Sequence, residues 1–205
     1  MATTIGNYLN NDTMKRIILG SLLALCSLVW FSCGNTSTTK TEKVEGTEWK
    51  VSVRKAVQFD DPLTGVSTEA NYTVADTAAV NAVLLGIKPE NLTLEWTIPS
   101  TDGRIFLVAY ESEPILSEQV TVTEAYSIPS YEGDIQVGFK FTDAEKWANI
   151  TRENIGKRLA VFVNGQLMNV PQVNSEIESG NCSVSIPADK IHDYLPNLDL
   201  AKLGQ

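Results

Sequence analysis

Few side chains in this sequence have the type and spacing needed for chemistry. His192 is the only histidine, so a Ser-His-Asp or Cys-His nucleophilic pair would have to use it. It lies beside Ile191 in the predicted last helix, far in sequence from any nucleophile motif, so we interpret it as a surface or helix-end residue. The sequence also lacks a Gly-Lys-Ser/Thr phosphate loop and a Gly-x-Gly-x-x-Gly motif. We therefore predict no catalytic residue, no cofactor and no enzymatic activity.

Two pairs of carboxylates offer an alternative. Glu111 and Glu113, and likewise Glu176 and Glu178, are two positions apart, which places each pair on one face of a strand. A glycosidase needs carboxylates about 5 to 10 Å apart across a cleft, and such pairs could satisfy that distance. No aromatic platform for a sugar accompanies them, so a hydrolase is the least favoured of the function classes.

Metal binding has little support. Asp60 and Asp61 begin a Pro- and Gly-containing stretch, and Ca²⁺ takes six to eight oxygens where this stretch has two carboxylates, so a plain turn is favoured. A zinc site needs four ligands, and one histidine with few cysteines cannot supply them. Cys182 is interpreted as a small apolar residue of a strand. We predict no metal site.

The N-terminus has the parts of a secretory signal. Met14-Lys15-Arg16 precedes fifteen mostly apolar residues, Ile17 to Phe31, which is shorter than the about 20 residues of a membrane-spanning helix. Cys33 follows directly, and its surroundings resemble the lipobox of bacterial lipoproteins, in which this cysteine is lipidated. We therefore predict a signal peptide over residues 1–32, with residues 1–13 as an upstream extension, and lipidation at Cys33. The alternative for Cys33 is an ordinary buried or disulfide-bonded cysteine.

Residues 33–45 are predicted to form the lipidated cysteine and a flexible tether. They are rich in Thr, Ser and Lys and have no apolar periodicity. The net charge of the chain is −9, which argues against nucleic acid as a partner and against electrostatic adhesion to anionic lipid. These features predict a protein of the cell envelope, anchored to a membrane by lipid and exposed to the periplasm or the cell surface.

Residues 46–104 are predicted to form an N-terminal β-rich region. Apolar alternation and turn residues predict three strands and one helix, the helix capped by Asp76 and ended by Gly86. The predicted elements are the strand Trp49–Phe59, the helix Thr73–Leu85 and the strands Leu92–Ile98 and Ile105–Tyr110, the last of which continues into the next region.

Residues 105–205 are predicted to form an α+β domain, a mixed or antiparallel sheet with helices packed on one face. Asn164-Gly165 is a strong hairpin signal because both residues tolerate a positive φ. The predicted elements after Tyr110 are a link and short helix (Pro114–Tyr126), the strand Ile135–Phe141, the helix Thr142–Ile155 capped by Thr142 or Asp143, the strands Leu159–Val163, Gln166–Val170 and Ser183–Ile186, and the helix Pro187–Leu198.

A motif of spaced residues inside this region resembles a known family. Its residues are Thr151, Asn154-Ile155-Gly156-Lys157, Leu159-Ala160-Val161, Asn164-Gly165, Pro171, Val173, Ile177 and Gly180. This pattern resembles the head part of the first large periplasmic domain of SecD, a subunit of the bacterial protein-export machine. Asn164 stands where the family usually has Asp, Val170 replaces an Ala, and Ser179-Gly180 replaces a Gly pair. Gly86-Ile87, Pro89 and Gly103-Arg104-Ile105 resemble the base part of the same domain.

The resemblance implies a SecD head-like fold and a role in contacting polypeptide. In the family the head engages chains that emerge from the export channel. We therefore expect a non-catalytic, membrane-anchored lipoprotein that binds extended polypeptide or an envelope protein partner, with a link to protein export. The expected contact residues are Asn164, Gly165, Gln172, Asn174, Glu178 and Gly180. Their alternative role is in turns and edges that serve folding alone, and the alternative function is a structural or surface-assembly lipoprotein that uses the fold as a rigid block.

Overall fold

The computed structural model of the protein describes residues 40–44, 46–87, 89, 91–127 and 133–203. The strands are β1 (Thr41–Lys43), β2 (Glu48–Val57), β3 (Tyr72–Thr73), β4 (Leu92–Trp96), β5 (Arg104–Ile105), β6 (Leu107–Glu111), β7 (Leu116–Ser127), β8 (Asp134–Lys140), β9 (Leu159–Val163), β10 (Gln166–Asn169) and β11 (Asn181–Pro187). The helices are a 3₁₀ turn (Val74–Asp76) and α1 (Thr77–Leu84), α2 (Ala144–Glu153), α3 (Ile191–Tyr194) and α4 (Leu200–Leu203).

Within the described residues, one antiparallel sheet contains nine of these strands. Its main path runs in the order β10-β9-β2-β7-β8-β11, while β1 pairs with β7, and β6 joins β2 to β4. The sheet curls into a half-barrel, so its terminal strands β10 and β11 approach each other. The predicted α+β class with an antiparallel sheet is confirmed.

Strand β2 lies in the middle of this sheet. Val51 pairs with Glu118 of β7 on one side and with Val163 of β9 on the other. The side chains of Val51 and Val53 are fully buried. Residues of the predicted N-terminal region therefore form part of the same sheet as residues of the predicted 105–205 region.

The main core fills the concave side of the sheet and is closed by helices. Trp49 packs edge-on against Phe139 at a centroid distance of 6.1 Å and against Tyr194 at 6.4 Å. Helix α2 contributes Trp147 and Ile150 to this core, and the C-terminal segment contributes its own apolar residues. Those residues are Ile191, Leu195, Leu198 and Leu203.

A smaller apolar cluster lies on the other side of the sheet. It contains Val108, Tyr110, Ala160, Phe162 and Leu167. The guanidinium carbon of Arg54 lies 5.5 Å from the ring centre of Tyr110 and 5.3 Å from that of Phe162, a cation–π arrangement.

The segment Pro114–Tyr126 differs from its prediction. It forms no helix; residues 116–127 are the long strand β7. The alternation of buried residues, Leu116, Val120, Val122 and Ala125, shifts by one position at a bulge between Val122 and Glu124. The bulge breaks the period of two that would have indicated a strand.

Two helix predictions also require correction. Pro187 does not begin a helix; it is the last residue of β11, and helix α3 ends at Tyr194 before Pro196. Asp76 is at the N-cap position of α1, as predicted, but its side chain makes no capping hydrogen bond to that helix. Its carboxylate instead accepts hydrogen bonds from the backbone N–H and the hydroxyl of Thr73, both at 2.8 Å, at the start of the preceding 3₁₀ turn.

The predicted signal peptide, its upstream extension and Cys33 lie outside the described residues. In the part of the chain that the structure describes, no helix has the length and hydrophobicity required to cross a membrane.

Candidate partner-contact surfaces

The turn Asn164-Gly165 joins β9 to β10, as predicted. Both residues have positive φ, 51° and 87°, which is the conformation of a type I′ turn. The side-chain oxygen of Asn164 accepts the backbone N–H of Lys50 at 2.9 Å, and its own N–H donates to the carbonyl of Lys50 at 2.8 Å. These bonds fasten the exposed turn to strand β2, so Asn164 has a clear structural role.

The segment from Pro171 to Gly180 runs along helix α2. Near the end of the helix, Gly156 donates its N–H to the carbonyl of Val173 at 2.8 Å. In the middle, the buried hydroxyl of Thr151 accepts the N–H of Ile177 at 2.9 Å. These contacts hold the loop against helix α2, and all four residues that make them belong to the motif that resembles the SecD head.

Gly180 lies where this loop meets the start of helix α2. Its φ is +74°, and a Cβ atom there would come within 3.0 Å of the carbonyl oxygen of Phe141 and 3.2 Å of the Cβ of Ala144. The residue is buried, and its carbonyl accepts the N–H of Phe141 at 2.9 Å. Gly180 is therefore required by close packing and offers little surface to a partner.

The remaining candidate residues are exposed on one loop. Gln172, Asn174 and Glu178 all face solvent, and the amide of Gln172 donates to the carbonyl of Gly156 at 3.2 Å. Gln172 bridges to Arg158, which immediately precedes β9, whereas Asn164 immediately follows that strand. Six residues of extended chain span about 20 Å. The structure thus separates the candidates into two groups at opposite ends of β9.

The other residues considered for chemistry are exposed, buried in the fold or bonded to neighbouring groups. His192 is exposed on α3. Glu176 forms an ion pair with Arg152 at 3.0 Å, and the carboxylate of Asp61 accepts the N–H of Leu63 and the hydroxyl of Thr64. Cys182 is buried on β11. No cluster of three or more potential metal ligands occurs among the residues that the structure describes.

Strand β4 is an open edge that the sequence analysis did not single out. It pairs only with β6, and no described strand lies on its other side. The N–H of Thr97 donates to the carbonyl of Phe106 at 3.0 Å. In an antiparallel pair, every second residue directs its backbone N–H and C=O groups toward the partner strand. Thr97 does so, and therefore Glu95 and Thr93 do as well. The backbone groups of Leu92, Leu94 and Trp96 consequently point away from β6.

An apolar groove adjoins this edge. It has a volume of about 380 Å³. Its lining residues are Leu84, Ile87, Pro89, Leu92, Thr93 and Leu94. Helix α1 above it has no buried residue, and Leu85 is 83% exposed. The run of apolar residues from Val83 to Ile87 was the sequence signal available for this surface.

A partly buried polar pair joins β4 to β6. The hydroxyl of Tyr110 donates to Oε2 of Glu95 at 2.5 Å. Burial, followed by the hydrogen bond to Glu95, raises the pKa of Tyr110 above its ordinary value of 10.0. Tyr110 is therefore protonated at neutral pH and holds one carboxylate oxygen of Glu95 in place.

The Asn164-Gly165 hairpin, the loop along α2 and most strands of the half-barrel lie in the segment that has relatives. Residues 95–190 match the family model of the SecDF P1 head subdomain. This P1 head-like domain covers a little under half of the chain. Its match confirms the predicted resemblance, and it links the domain to the subunit SecD of the protein translocase.

Curated relatives of the P1 head-like domain are SecD subunits. The chain is 35% identical over 74 residues to the protein translocase subunit SecD of Sebaldella termitidis, and 34% identical over 90 residues to that of Leptotrichia buccalis. The subunit of Aquifex aeolicus is 29% identical over 99 residues. These alignments cover 35%, 43% and 47% of this chain, but 18%, 20% and 19% of the relatives. The chain thus spans about a fifth of the length of the relatives it matches.

Two solved structures of SecDF are similar to the chain at 20% identity. One, described as a membrane component that enhances protein export, has a TM-score of 0.33 and covers 68% of this chain and 56% of its own. The other, SecDF in a super-membrane-facing form, has a TM-score of 0.36 and covers 68% of this chain and 17% of its own.

The open edge lies at the border of the P1 head-like domain. The family match begins at Glu95, so Leu92 and Leu94 and the whole of helix α1 precede it. The motif residues Thr151 and Gly180, by contrast, lie inside the match and are buried. These two matched residues help to build the fold, whereas all the lining residues of the apolar groove precede the match.

Proposed function

We propose that the chain is a non-catalytic lipoprotein of the cell envelope whose P1 head-like domain binds polypeptide or an envelope protein partner. The observation that carries this proposal is the match of residues 95–190 to the SecDF P1 head subdomain. The SecD relatives support a role linked to protein export. Because the chain spans about a fifth of those relatives, the proposal concerns contact with polypeptide and leaves transport itself aside.

Binding is tested with a permanently unfolded protein. The purified full-length chain is mixed with a fluorescently labelled polypeptide that has been reduced and carboxymethylated, and anisotropy is measured against chain concentration. We expect saturable binding of this polypeptide and no binding of the same protein in its folded, oxidised form. Equal binding of both forms, or of neither, contradicts the proposal.

The membrane anchor is proposed to be a lipid on Cys33, after removal of residues 1–32. Its support is the short apolar stretch from Ile17 to Phe31 that ends just before this cysteine. Mass spectrometry of protein from the membrane fraction should show an acylated N-terminal cysteine. In Cys33→Ser the acyl mass should be absent and residues 1–32 retained. An intact, unmodified N-terminus in the wild type contradicts the anchor.

A rigid structural block is the second candidate function. It is favoured by the structural roles of Asn164 and Gly180, two residues expected to contact a partner. The chain would then contribute a fixed shape to a surface assembly. Recovery of the wild-type chain in a stable envelope assembly, together with no affinity for unfolded polypeptide, would favour this function over the first.

A further inference from the structure

We propose that strand β4 takes up one segment of extended polypeptide as an additional strand, and that this segment alternates apolar residues with lysine or arginine. The inference rests on the polypeptide binding proposed above and assigns it a site and a ligand chemistry. It replaces the loops at the two ends of β9 as the principal contact, because the bonds of Asn164 and Gly180 are already used within the fold.

The backbone of β4 is suited to strand addition. Leu92, Leu94 and Trp96 direct three N–H and three C=O groups away from β6, toward a side where no described strand lies. An added strand gains main-chain hydrogen bonds there whatever its sequence. Exposed edges are normally blunted by lysine, proline or a bulge, and β4 has none of these between its first and last residue.

The side chains beside the edge select apolar residues. Leu92 and Leu94 lie on one face of β4, and the groove continues across Leu84, Ile87 and Pro89. In an added strand, every second side chain would fall on this face. Two apolar side chains of the ligand, spaced two residues apart, would then cover leucines that are half-exposed in the isolated chain.

The charges beside the edge select a cationic ligand. The residues of α1, β4 and β6 include the carboxylates Glu95 and Glu111 and no lysine or arginine. The cation nearest to this face is Arg54 of β2, which packs on the rings of Tyr110 and Phe162. Oε2 of Glu95 is held by Tyr110, whereas Oε1 has no hydrogen-bond partner among the described residues and can receive a cation. Between α1 and β4, Lys88 and Glu90 offset each other in charge.

The net charge of the chain decides between ligands of different sign. At −9, the chain repels an acidic peptide. A second copy pairing through its own β4 would bring together two chains of −9 and two copies of Glu95 and Glu111. A cationic peptide meets none of this repulsion.

The backbone part of the inference is tested by one substitution and one altered probe. The probe is a fluorescein-labelled nonapeptide of alternating leucine and lysine, and its anisotropy is measured with the full-length chain. Leu94→Pro removes an outward N–H and leaves the bonds to β6 in place, so we expect at least about tenfold weaker binding. Leu94→Val keeps the N–H and should bind as the wild type does. A probe N-methylated at alternate residues should fail to bind the wild-type chain, which keeps the test valid if Leu94→Pro unfolds.

The charge part is tested with Glu95→Gln, which retains an acceptor for Tyr110. We expect several-fold weaker binding of the leucine–lysine probe and a smaller salt dependence, with no change for a leucine–serine probe. A leucine–glutamate probe that binds the wild type as well as the leucine–lysine probe overturns the charge assignment.

The outcomes separate this site from the proposed function. If unfolded polypeptide binds the wild type and Leu94→Pro equally, and N-methylation of the probe has no effect, the edge site is wrong while polypeptide binding stands. If no polypeptide binds, the proposed function itself fails. Micromolar self-association that Leu94→Pro abolishes would assign the edge to a second copy and overturn the peptide ligand. Binding of the probe only after residues 1–32 are removed would assign the edge to the chain's own N-terminal segment.

Discussion

The hydroxyl of Thr151 accepts a hydrogen bond from the backbone N–H of Ile177 at 2.9 Å, and so joins helix α2 to the loop that returns along it. The same hydroxyl donates to the carbonyls of the preceding helical turn, at 3.1 Å to Trp147 and 3.0 Å to Ala148. Thr151 is fully buried, 26 positions before its partner. One side chain thereby satisfies a partly buried backbone donor in a loop, where no helix or strand supplies its partner.

Removal of this hydroxyl should destabilise the fold. We expect Thr151→Val, which has nearly the same shape, to lower the free energy of unfolding by about 1 to 3 kcal/mol, because the partly buried N–H of Ile177 loses its acceptor. Urea unfolding followed by tryptophan fluorescence measures this change. Thr151→Ser keeps the hydroxyl and is the matched control. A valine variant as stable as the serine variant would contradict this role.

Gly180 and Gly156 form a matched pair of positive-φ glycines. Gly180→Ala should cost about 1 to 3 kcal/mol more than Gly156→Ala, because an added methyl meets Phe141 and Ala144 at the first position and open space at the second. Backbone strain is common to both variants, since φ is +74° and +81°. Thermal or urea unfolding of the two variants gives the difference, and equal stabilities would show that the close contact at Gly180 relaxes without cost.

Substitution of Asn164 by aspartate should preserve the stability of the fold, whereas substitution by alanine should reduce it. Asn164→Ala loses the acceptor for Lys50 and a residue suited to φ of 51°, so we expect a loss of about 1 to 2 kcal/mol in the free energy of unfolding. Asn164→Asp retains both features and should remain within about 0.5 kcal/mol of the wild type. Should aspartate prove as damaging as alanine, the bond to Lys50 is not what holds the turn.

The loss of folding stability at alkaline pH should depend on Tyr110. Its pKa is higher in the folded chain than the ordinary 10.0 of the unfolded chain, so its contribution to stability is complete below pH 10 and is lost as pH rises toward the folded pKa. Burial also raises the pKa of Tyr194. In an ultraviolet titration, these two tyrosines should ionise at higher pH in the folded chain than in the unfolded chain.

The variant Tyr110→Phe tests whether Tyr110 is one of the late-ionising groups. It should remove one late-ionising group and reduce the fall in melting temperature above pH 10. In guanidinium chloride all six tyrosines should titrate together near pH 10. An unchanged late phase in Tyr110→Phe would mean that the group belongs to another residue.

Local signals explain which parts of the fold were predictable. The β9–β10 hairpin and helix α2 followed from residues that act on their neighbours: Asn164-Gly165 at the turn and Asp143, whose carboxylate accepts the N–H of Lys146 at 2.9 Å. Strand β7 was missed because the bulge after Val122 interrupts its alternation and because glutamate, glutamine and alanine within it favour helix.

The candidate site was only partly predictable. The exposure of Gln172, Asn174 and Glu178 follows from their polar side chains in a loop. Which strand remains at the edge of the sheet depends on pairing between distant segments. The sequence of residues 92–96 does not indicate that β4 pairs with β6 on one side and with no described strand on the other. The buried role of Gly180 likewise depends on Phe141, 39 positions earlier (180 − 141).

The central position of β2 determines when the domain can become stable. Val51 and Val53 emerge early in synthesis, yet their cross-strand partners on β9, Val163 and Val161, emerge more than half a chain later. Loop closure over such separations is slow and gains nothing until both ends are present. The sheet around β2 therefore cannot be completed until the last third of the chain has been made.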